Sequence, residues 1–255
     1  MHLPMPEAVP DTPAQRTADR RRLQRALNAS LGGVLLLAAV FAAQHAFDWR
    51  ALAIAPHDWR GLVGILTAPL LHGSPEHLGA NAVALLLLGT LAGTVYPRAT
   101  LRALPLLWIG SGLGAWWLGG VGTRHLGASG VSHGLMFLVF GLGLLRRDRP
   151  AIAAAMIAFF LYGGMLLTVL PHEPGVSWQA HLGGALAGLL SAWLFRRSDA
   201  LAPRRRYSWE FEEDDVALSS RDDELEPTRP DVVQPIWTRQ DRAAHVTVLR
   251  FPRRN

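Results

Sequence analysis

The sequence predicts an all-α membrane protein, a bundle of six transmembrane helices with a re-entrant loop between the first and second helices. Half of the 255 residues are apolar and only 18% are charged, against about 25% in ordinary soluble domains. Six stretches contain no Asp, Glu, Lys or Arg, and each approaches or exceeds the roughly 20 residues that a helix needs to cross a bilayer. These stretches are residues 26–47, 77–97, 103–123, 125–145, 150–172 and 174–195.

A seventh uncharged stretch, residues 61–75, is too short to cross a bilayer as a helix. It ends in His-Gly-Ser-Pro at residues 72–75. We therefore expect it to be a re-entrant or interfacial segment between the first two transmembrane helices.

The distribution of arginine predicts the orientation of the bundle. Fifteen arginines lie in the N-terminal tail, after the second and fourth stretches, and at the start of the C-terminal tail, whereas the other side has only Arg50, Arg60 and Arg124. Because cytoplasmic connections are enriched in basic residues, we expect both termini in the cytoplasm. The first stretch follows a long polar tail and precedes further spans, so it does not read as a cleaved signal peptide.

The composition excludes several classes of protein. The absence of Cys excludes a disulfide scaffold, an iron–sulfur cluster, a thiol catalyst and a Cys-based zinc site. The net charge of +5 comes from arginines in short clusters between apolar stretches, which is not the stripe typical of nucleic-acid binding. The chain has no His-Glu-x-x-His motif, and we expect neither a metal nor a cofactor.

The same patterns divide the chain into three parts. Residues 1–27 are expected to form a cytoplasmic tail, residues 28–198 a six-helix domain, and residues 199–255 a second cytoplasmic tail. The last part holds 12 acidic residues and 10 arginines with scattered Pro, a composition that favours disorder.

Polar residues inside the apolar stretches indicate a functional site. None of them is Asp or Glu, which argues against a proton-coupled transporter and an intramembrane aspartyl protease. His77, Asn81, Ser129 and His181 lie near the starts of the second, fourth and sixth stretches. With both termini in the cytoplasm, these starts face the outer side, and all four residues lie within about one to two helical turns of that boundary.

The spacing of these residues favours nucleophilic acyl transfer. His77 and Asn81 are four residues apart and share a helix face. His181 is followed by Gly at three and seven residues, which would bring its face against a neighbouring helix. Ser129 has Gly on both sides of it within residues 127–130, which clears the space around its hydroxyl.

A Ser within reach of a His, with hydrogen-bond donors nearby, can attack an acyl group. His181 would accept the Ser129 proton and later protonate the leaving amine. His77, Asn81 and the backbone N–H of Ser129 would stabilise the oxyanion. Since no intramembrane carboxylate is available to orient His181, the arrangement would be a dyad and not a triad.

These motifs resemble those of the rhomboid family of intramembrane serine proteases. Residues 127–130 match its Gly-x-Ser-Gly motif, residues 180–188 its last-helix motif with His and two glycines, and residues 77–81 its His-x-x-x-Asn motif. Together, in this order and on these spans, the motifs are far more specific than any one of them. The resemblance covers residues 28–198.

The resemblance implies a role for each matching residue. Ser129 matches the nucleophile, within a motif that begins at Gly127, and His181 matches the general base. His77 and Asn81 match the oxyanion stabilisers.

The loop between the first two spans also carries matches. His72 is similar to a family residue with a structural, hydrogen-bonding role beneath the site. Residues 48–76 correspond to a partly embedded hairpin, in which Trp59-Arg60 resembles a Trp-Arg pair. The family often has a Glu near the end of the second helix, and residues 89–98 have none, which affects a packing contact and not the chemistry.

His133 lies one turn after Ser129, where the family usually has an aromatic or apolar residue that packs on the catalytic His. We expect an accessory role, either stacking on His181 or bonding to it; the alternative is that it only faces a neighbouring helix. Residues 129–134 resemble the rhombosortase branch, which processes C-terminal sorting tails.

Each candidate also has a purely structural interpretation. Ser129 could bond to the carbonyl one turn earlier, and His181 could be a satisfied interhelical histidine. His77 could mark a helix start at the interface, and Asn81 could form an interhelical hydrogen bond.

The function that we predict is an intramembrane serine endopeptidase that cleaves transmembrane or juxtamembrane segments near the outer face. Its partners would be membrane-protein substrates and the lipid bilayer, with no nucleic acid. The alternative is a non-catalytic relative that binds client helices; a solute transporter is disfavoured because transporter sites lie nearer the midplane. The chain has Arg but no Lys, and it is rich in Ala, Gly and Leu. This composition indicates a bacterium with a high-GC genome, and therefore its inner membrane.

Overall fold

A computed structural model describes residues 8–9, 12–171, 175–200 and 204–205. Within them the chain forms seven α-helices and one parallel pairing of two-residue strands, β1 (Ala8–Val9) and β2 (Arg204–Arg205). The helices are α1 (Pro13–Ala43), α2 (Val63–Thr67), α3 (Pro75–Val95), α4 (Pro97–Leu118), α5 (Ser129–Arg146), α6 (Arg149–Tyr162) and α7 (Trp178–Phe195). The predicted all-α class is confirmed. Most of the predicted C-terminal tail, residues 206–255, lies outside the described residues.

Each of the six predicted spans contains one long helix. By length and composition, four segments could cross a membrane: α1, α3, α5, and α6 with the 3₁₀ turn that extends it to Leu166. The other two long helices, α4 and α7, pack against each other, and α7 also packs against α5. The count of six membrane crossings stays a prediction.

The outer surface of the bundle is apolar. Leu35, Leu101 and Phe160 are 60%, 72% and 75% exposed, and many other large apolar side chains are exposed beside them. Soluble proteins rarely expose contiguous apolar patches of this kind, whereas lipid accepts them readily.

Two helix boundaries differ from the predicted spans by ten residues or more. Helix α1 begins at Pro13, well before residue 26, because Thr12 caps its first turn by accepting from the Gln15 N–H at 3.2 Å. Helix α6 ends at Tyr162, ten residues before the predicted end, where Gly163 and Gly164 follow as a 3₁₀ turn.

The segment between α1 and α3 forms a hairpin of short turns. Three 3₁₀ turns, Gln44–Ala46, Trp49–Leu52 and Trp59–Leu62, precede α2, which has only five residues, and a fourth, Ala68–Leu70, follows it. Its backbone is joined to the connection before α5 by two hydrogen bonds of 3.0 Å between Ile54 and His125. The hairpin also packs on α4, where the indole N–H of Trp108 donates to the Leu66 carbonyl at 3.1 Å.

Close helix contact depends on glycines, as the sequence predicts. A Cβ added at Gly184 of α7 would collide with the Gly130 carbonyl of α5, and one at Gly188 would collide with the Gly134 carbonyl. The contact of α4 with α7 is equally close, since a Cβ at Gly183 would collide with the Gly110 carbonyl. Small residues allow helix backbones to approach in lipid, where van der Waals contact drives association.

We predict that Gly184→Ala destabilises the bundle although Ala is the better helix former. Its methyl group has no space against Gly130, and overpacking of this kind costs about 1–3 kcal/mol. Gly79→Ala is the matched control, because nothing lies within 4 Å of a Cβ there, and the change should stabilise α3 by about 0.5–1 kcal/mol. Unfolding in mixed micelles with increasing SDS would measure both free energies. Equal stability of the two variants would contradict the packing described here.

Candidate active site

A tight turn places Ser129 at the first residue of α5. Gly127 has a φ of +109°, which residues with a side chain rarely adopt, and its N–H donates to the Ala68 carbonyl at 2.9 Å. A Cβ at Gly127 would lie 2.6 Å from the His77 ring. Gly at this position is therefore required both by the turn and by the contact with α3.

The Ser129 hydroxyl and the His181 ring are in hydrogen-bond contact. Oγ lies 2.9 Å from Nε2, although the residues are 52 positions apart. His181 is buried, at 5% exposure, whereas Ser129 is half-buried. The close approach of α5 and α7 makes this distance possible.

The other nitrogen of His181 is held by a backbone carbonyl. Nδ1 lies 3.0 Å from the Thr168 oxygen. Because a carbonyl oxygen can only accept, Nδ1 carries the proton and the neutral ring leaves Nε2 free to accept the Ser129 hydroxyl proton. A carbonyl thus takes the orienting position that a carboxylate occupies in a Ser-His-Asp triad.

His133 stacks on His181. The ring centroids are 3.8 Å apart and the planes differ by 12°. His133 Nδ1 donates to the Ser129 carbonyl at 2.7 Å, and Nε2 lies 2.8 Å from the Thr168 hydroxyl. His133 thus contacts the His181 ring and is hydrogen-bonded to Ser129 and Thr168, the residues that His181 itself contacts.

His77 and Asn81 line the same cavity as Ser129 and His181. The ring of His77 packs edge-on against His72, with 5.1 Å between centroids. Asn81 is buried, and its side-chain Nδ2 has no hydrogen-bond partner among the described residues. A buried amide donor without a partner is costly, so this group is available to an acceptor in the cavity.

The cavity has a volume of about 1210 Å³. Its walls come from α3, from α5, from Tyr162 and Met165 around the end of α6, and from the segment that leads into α7. Volumes of 300–1,000 Å³ are usual for small-molecule pockets, so this one has room for an extended stretch of peptide.

His125 joins two loops at the mouth of this cavity. Its Nδ1 lies 2.7 Å from the Ser177 hydroxyl, and its Nε2 lies 2.9 Å from the Thr123 hydroxyl. Burial lowers the pKa of His125, so the ring is neutral at pH 7. Ser177 also caps α7, and the bond therefore ties the start of α7 to the connection before α5.

Gln44, which was not predicted from the sequence, fixes the loop that contains His72. Gln44, at the end of α1, accepts from the His72 N–H at 2.9 Å and donates to the His72 carbonyl at 2.8 Å. The two ring nitrogens of His72 are buried without a partner among the described residues. The hydrogen bonds that fix this loop therefore use the His72 backbone and not its ring.

Thr168 is the second residue that the sequence analysis missed. Its carbonyl orients His181 and its hydroxyl contacts His133. In the sequence, Thr168 stands out only as a hydroxyl residue near the end of the apolar stretch 150–172.

We predict that Gln44→Ala destabilises the folded protein. The change leaves a buried N–H and a buried carbonyl of His72 unpaired, at about 1–3 kcal/mol each. Gln24→Ala is the matched control, because Gln24 is exposed on the same helix and its change should stay within about 0.5 kcal/mol. The measurement is unfolding by SDS in mixed micelles, and a Gln44 variant as stable as the Gln24 variant would contradict this role.

Comparison with known proteins identifies the family. Residues 59–198 match the family model described as Rhomboid domain, which covers more than half of the chain. An uncharacterized protein of Mycobacterium tuberculosis (strain ATCC 25618 / H37Rv) is 36% identical over 211 residues, which cover 79% of this chain and 86% of that protein. An uncharacterized protein of Mycobacterium leprae (strain TN) is 36% identical over 173 residues, 64% of this chain and 65% of that protein. The chloroplastic rhomboid-like protein 11 of Arabidopsis thaliana is 25% identical over 215 residues, 75% of this chain and 74% of that protein. The chain is an integral membrane protein and belongs to the rhomboid family.

Proposed function

We propose that this protein is an intramembrane serine endopeptidase with a Ser129–His181 dyad in the domain of residues 28–198. The observation that carries the proposal is the 2.9 Å contact of Ser129 Oγ with His181 Nε2, on a ring whose Nδ1 is bound to the Thr168 carbonyl. A purely structural Ser would not need a histidine held in this tautomer.

In the proposed reaction, Ser129 Oγ attacks the carbonyl carbon of the scissile peptide bond while its proton passes to His181 Nε2. The tetrahedral intermediate collapses to an ester on Ser129, and His181 donates the proton to the leaving amine. Water then attacks the ester, with His181 again taking and returning a proton, and releases the carboxylic acid and free Ser129.

The negative oxygen of the intermediate needs hydrogen-bond donors. Helix α5 begins without a side-chain cap, so the amides of its first turn, including that of Ser129, are not used by a capping residue. The ring of His77 lines the same cavity, as does the amide of Asn81, whose Nδ2 has no hydrogen-bond partner in the described part of the chain. Donors of this kind, fixed before the reaction, contribute about 3–4 kcal/mol each in serine proteases.

The substrates that fit this site are transmembrane segments or the residues next to them. A helical substrate must unwind locally, because its carbonyls are hydrogen-bonded within the helix. We infer that the segment 173–179 covers the site and opens to admit water and substrate; residues 173 and 174 of it lie outside the described residues. The His125–Ser177 bond lies at the base of this cap.

The mycobacterial relatives fit a bacterial protein, and the inner membrane is the location that we propose. The arginine distribution supports both termini in the cytoplasm and the site at the outer face. The similarity of residues 129–134 to the rhombosortase branch extends the proposal to C-terminal sorting tails as one substrate class.

We predict that a fluorophosphonate probe labels the purified protein at Ser129. Ser129→Ala should abolish labelling, and His181→Ala should slow it by about 10²–10⁴-fold, the usual contribution of a general base. Ser132→Ala is the matched control, because this buried Ser does not line the cavity and bonds only weakly to the Ala128 carbonyl, at 3.4 Å.

Gel fluorescence or intact mass would measure labelling without knowledge of the substrate. A folded wild-type protein that is not labelled would favour the alternative, a non-catalytic rhomboid protein that binds client helices. Equal labelling of wild type and Ser129→Ala would exclude the dyad.

We propose that His133 is a positioning residue for His181. His133→Tyr keeps an aromatic ring against His181 and should retain most of the labelling rate. His133→Ala removes the stack, and the loss of an aromatic pair of about 0.5–1.5 kcal/mol should slow labelling by about 2–10-fold. The rate constant of probe labelling measures the difference, and equal loss in both variants would show that stacking is not the function of this ring.

A further inference from the structure

A second cavity lies at the end of the bundle opposite Ser129. Helix α5 runs from Ser129 to Arg146, and at 1.5 Å per residue its two ends are about 26 Å apart. The cavity has a volume of about 500 Å³ and is enclosed by α1, by the α3–α4 turn, by the α5–α6 turn and by the residues after α7. Its charged lining consists of Arg22, Arg25, Arg98, Arg146, Asp148 and Asp199.

Both aspartates of this cavity are already engaged. Asp148 forms a 3.0 Å ion pair with Arg146 and also accepts from the Ala151 N–H, which caps α6. Asp199 accepts from the N–H groups of Arg98 and Ala99 at 3.0 and 2.9 Å, and so caps α4.

Three of the arginines that line the cavity have no acidic partner in the described part of the chain. They are the exposed residues Arg22, Arg25 and Arg98. Arg25 uses only its Nε, which donates to the Arg21 carbonyl at 3.3 Å. With Arg146 and the two aspartates included, the lining carries two more positive than negative charges.

Tyr96 forms part of the cavity wall and adds no charge to it. Its ring is 1% exposed and lies under the Arg146 guanidinium, 5.4 Å from its carbon. Burial raises the pKa of Tyr96, and Asp148 acts in the same direction, so the hydroxyl keeps its proton and the positive surplus remains.

Exposed leucines occur close in sequence to the arginines that line this cavity. Leu23 and Leu27 of α1 are 47% and 41% exposed; Leu23 follows Arg22, and Leu27 lies two residues after Arg25. Leu101 of α4 is 72% exposed, one turn after Arg98. A ligand in the cavity would thus have its polar part among arginines and apolar chains along exposed leucines.

We propose that this cavity binds the phosphate headgroup of an anionic glycerophospholipid, with the acyl chains lying along α1 and α4. Guanidinium groups bind phosphate oxygens in a bidentate manner. Basic pockets between transmembrane helices are suited to anionic headgroups. The apolar surroundings favour a lipid over a free phosphate, which would gain nothing from the exposed leucines.

The experiment is native mass spectrometry of the full-length protein in detergent, with added phosphatidylglycerol or with phosphatidylcholine of the same acyl chains. The test variant is Arg25→Gln with Arg98→Gln. The matched control is Arg20→Gln with Arg102→Gln, which removes the same charge from the same two helices but not from the cavity.

We expect the wild type to retain phosphatidylglycerol at least 10-fold more strongly than phosphatidylcholine. The test variant should lose about 10-fold in phosphatidylglycerol affinity, whereas the control variant should stay within about 2-fold. Equal loss in both variants would show attraction to charge in general and would overturn the site.

A further arm adds inorganic phosphate in place of lipid. Protection against thermal unfolding by phosphate as strong as that by phosphatidylglycerol would identify a free-phosphate site and overturn the lipid assignment. Thermal unfolding without any lipid should be alike in the two variants, which separates binding from folding. None of these measurements depends on proteolysis, so their outcome is independent of the proposed catalytic function.

Discussion

The close contact of α5 with α7 is the constraint on which the rest of this structure depends. Gly130 and Gly134 face Gly184 and Gly188 so closely that a single added Cβ would meet a backbone carbonyl. Ser129 precedes the first of these glycines by one residue and His181 precedes Gly184 by three, so the same contact sets the 2.9 Å distance between Oγ and Nε2. In lipid, where apolar burial does not drive helices together, this geometry rests on van der Waals contact between backbones.

Among the described residues, no carboxylate lines this cavity, and there is a physical reason for that. An ionised Asp within a bilayer is costly, and a buried charge would need partners that the apolar walls do not provide. The Thr168 carbonyl orients His181 without adding a charge, and the stacked His133 limits rotation of the ring from its face. A neutral network of this kind orients the ring, and in the proposed reaction only dipoles of the protein would stabilise the imidazolium.

The part of the site that lies on regular helices was predictable from the sequence, because helical spacing puts His77 with Asn81 and His181 with its glycines on defined faces. The contributions of Gln44 and Thr168 were not. Gln44 acts on backbone groups 28 residues away, and Thr168 orients His181 through a carbonyl that every residue possesses. Periodicity carries no information about such contacts, since Gln44 follows the last residue of α1 and Thr168 lies in the turn beyond α6. The start of α1 at Pro13 was not predicted for a related reason. The arginines near the N-terminus indicated a cytoplasmic tail, but charge does not determine where a helix begins, which depends on capping and helix propensity.

The cavities at the two ends of the bundle differ in the charged side chains that line them. At the Ser129 end, the described residues that line the cavity include polar histidines and Asn81 but no carboxylate. This arrangement suits the oxyanion of the proposed reaction, which exists only transiently. At the other end, Asp148 and Asp199 are consumed in capping helices, and the arginines around them exceed the acids. Arginines that merely fix orientation need only lie on one side of the membrane, and scattered exposed positions would serve. Arg22, Arg25 and Arg98 instead line one cavity from two helices. The need to orient the protein in the membrane does not explain this convergence, whereas the proposed binding of an anionic headgroup does.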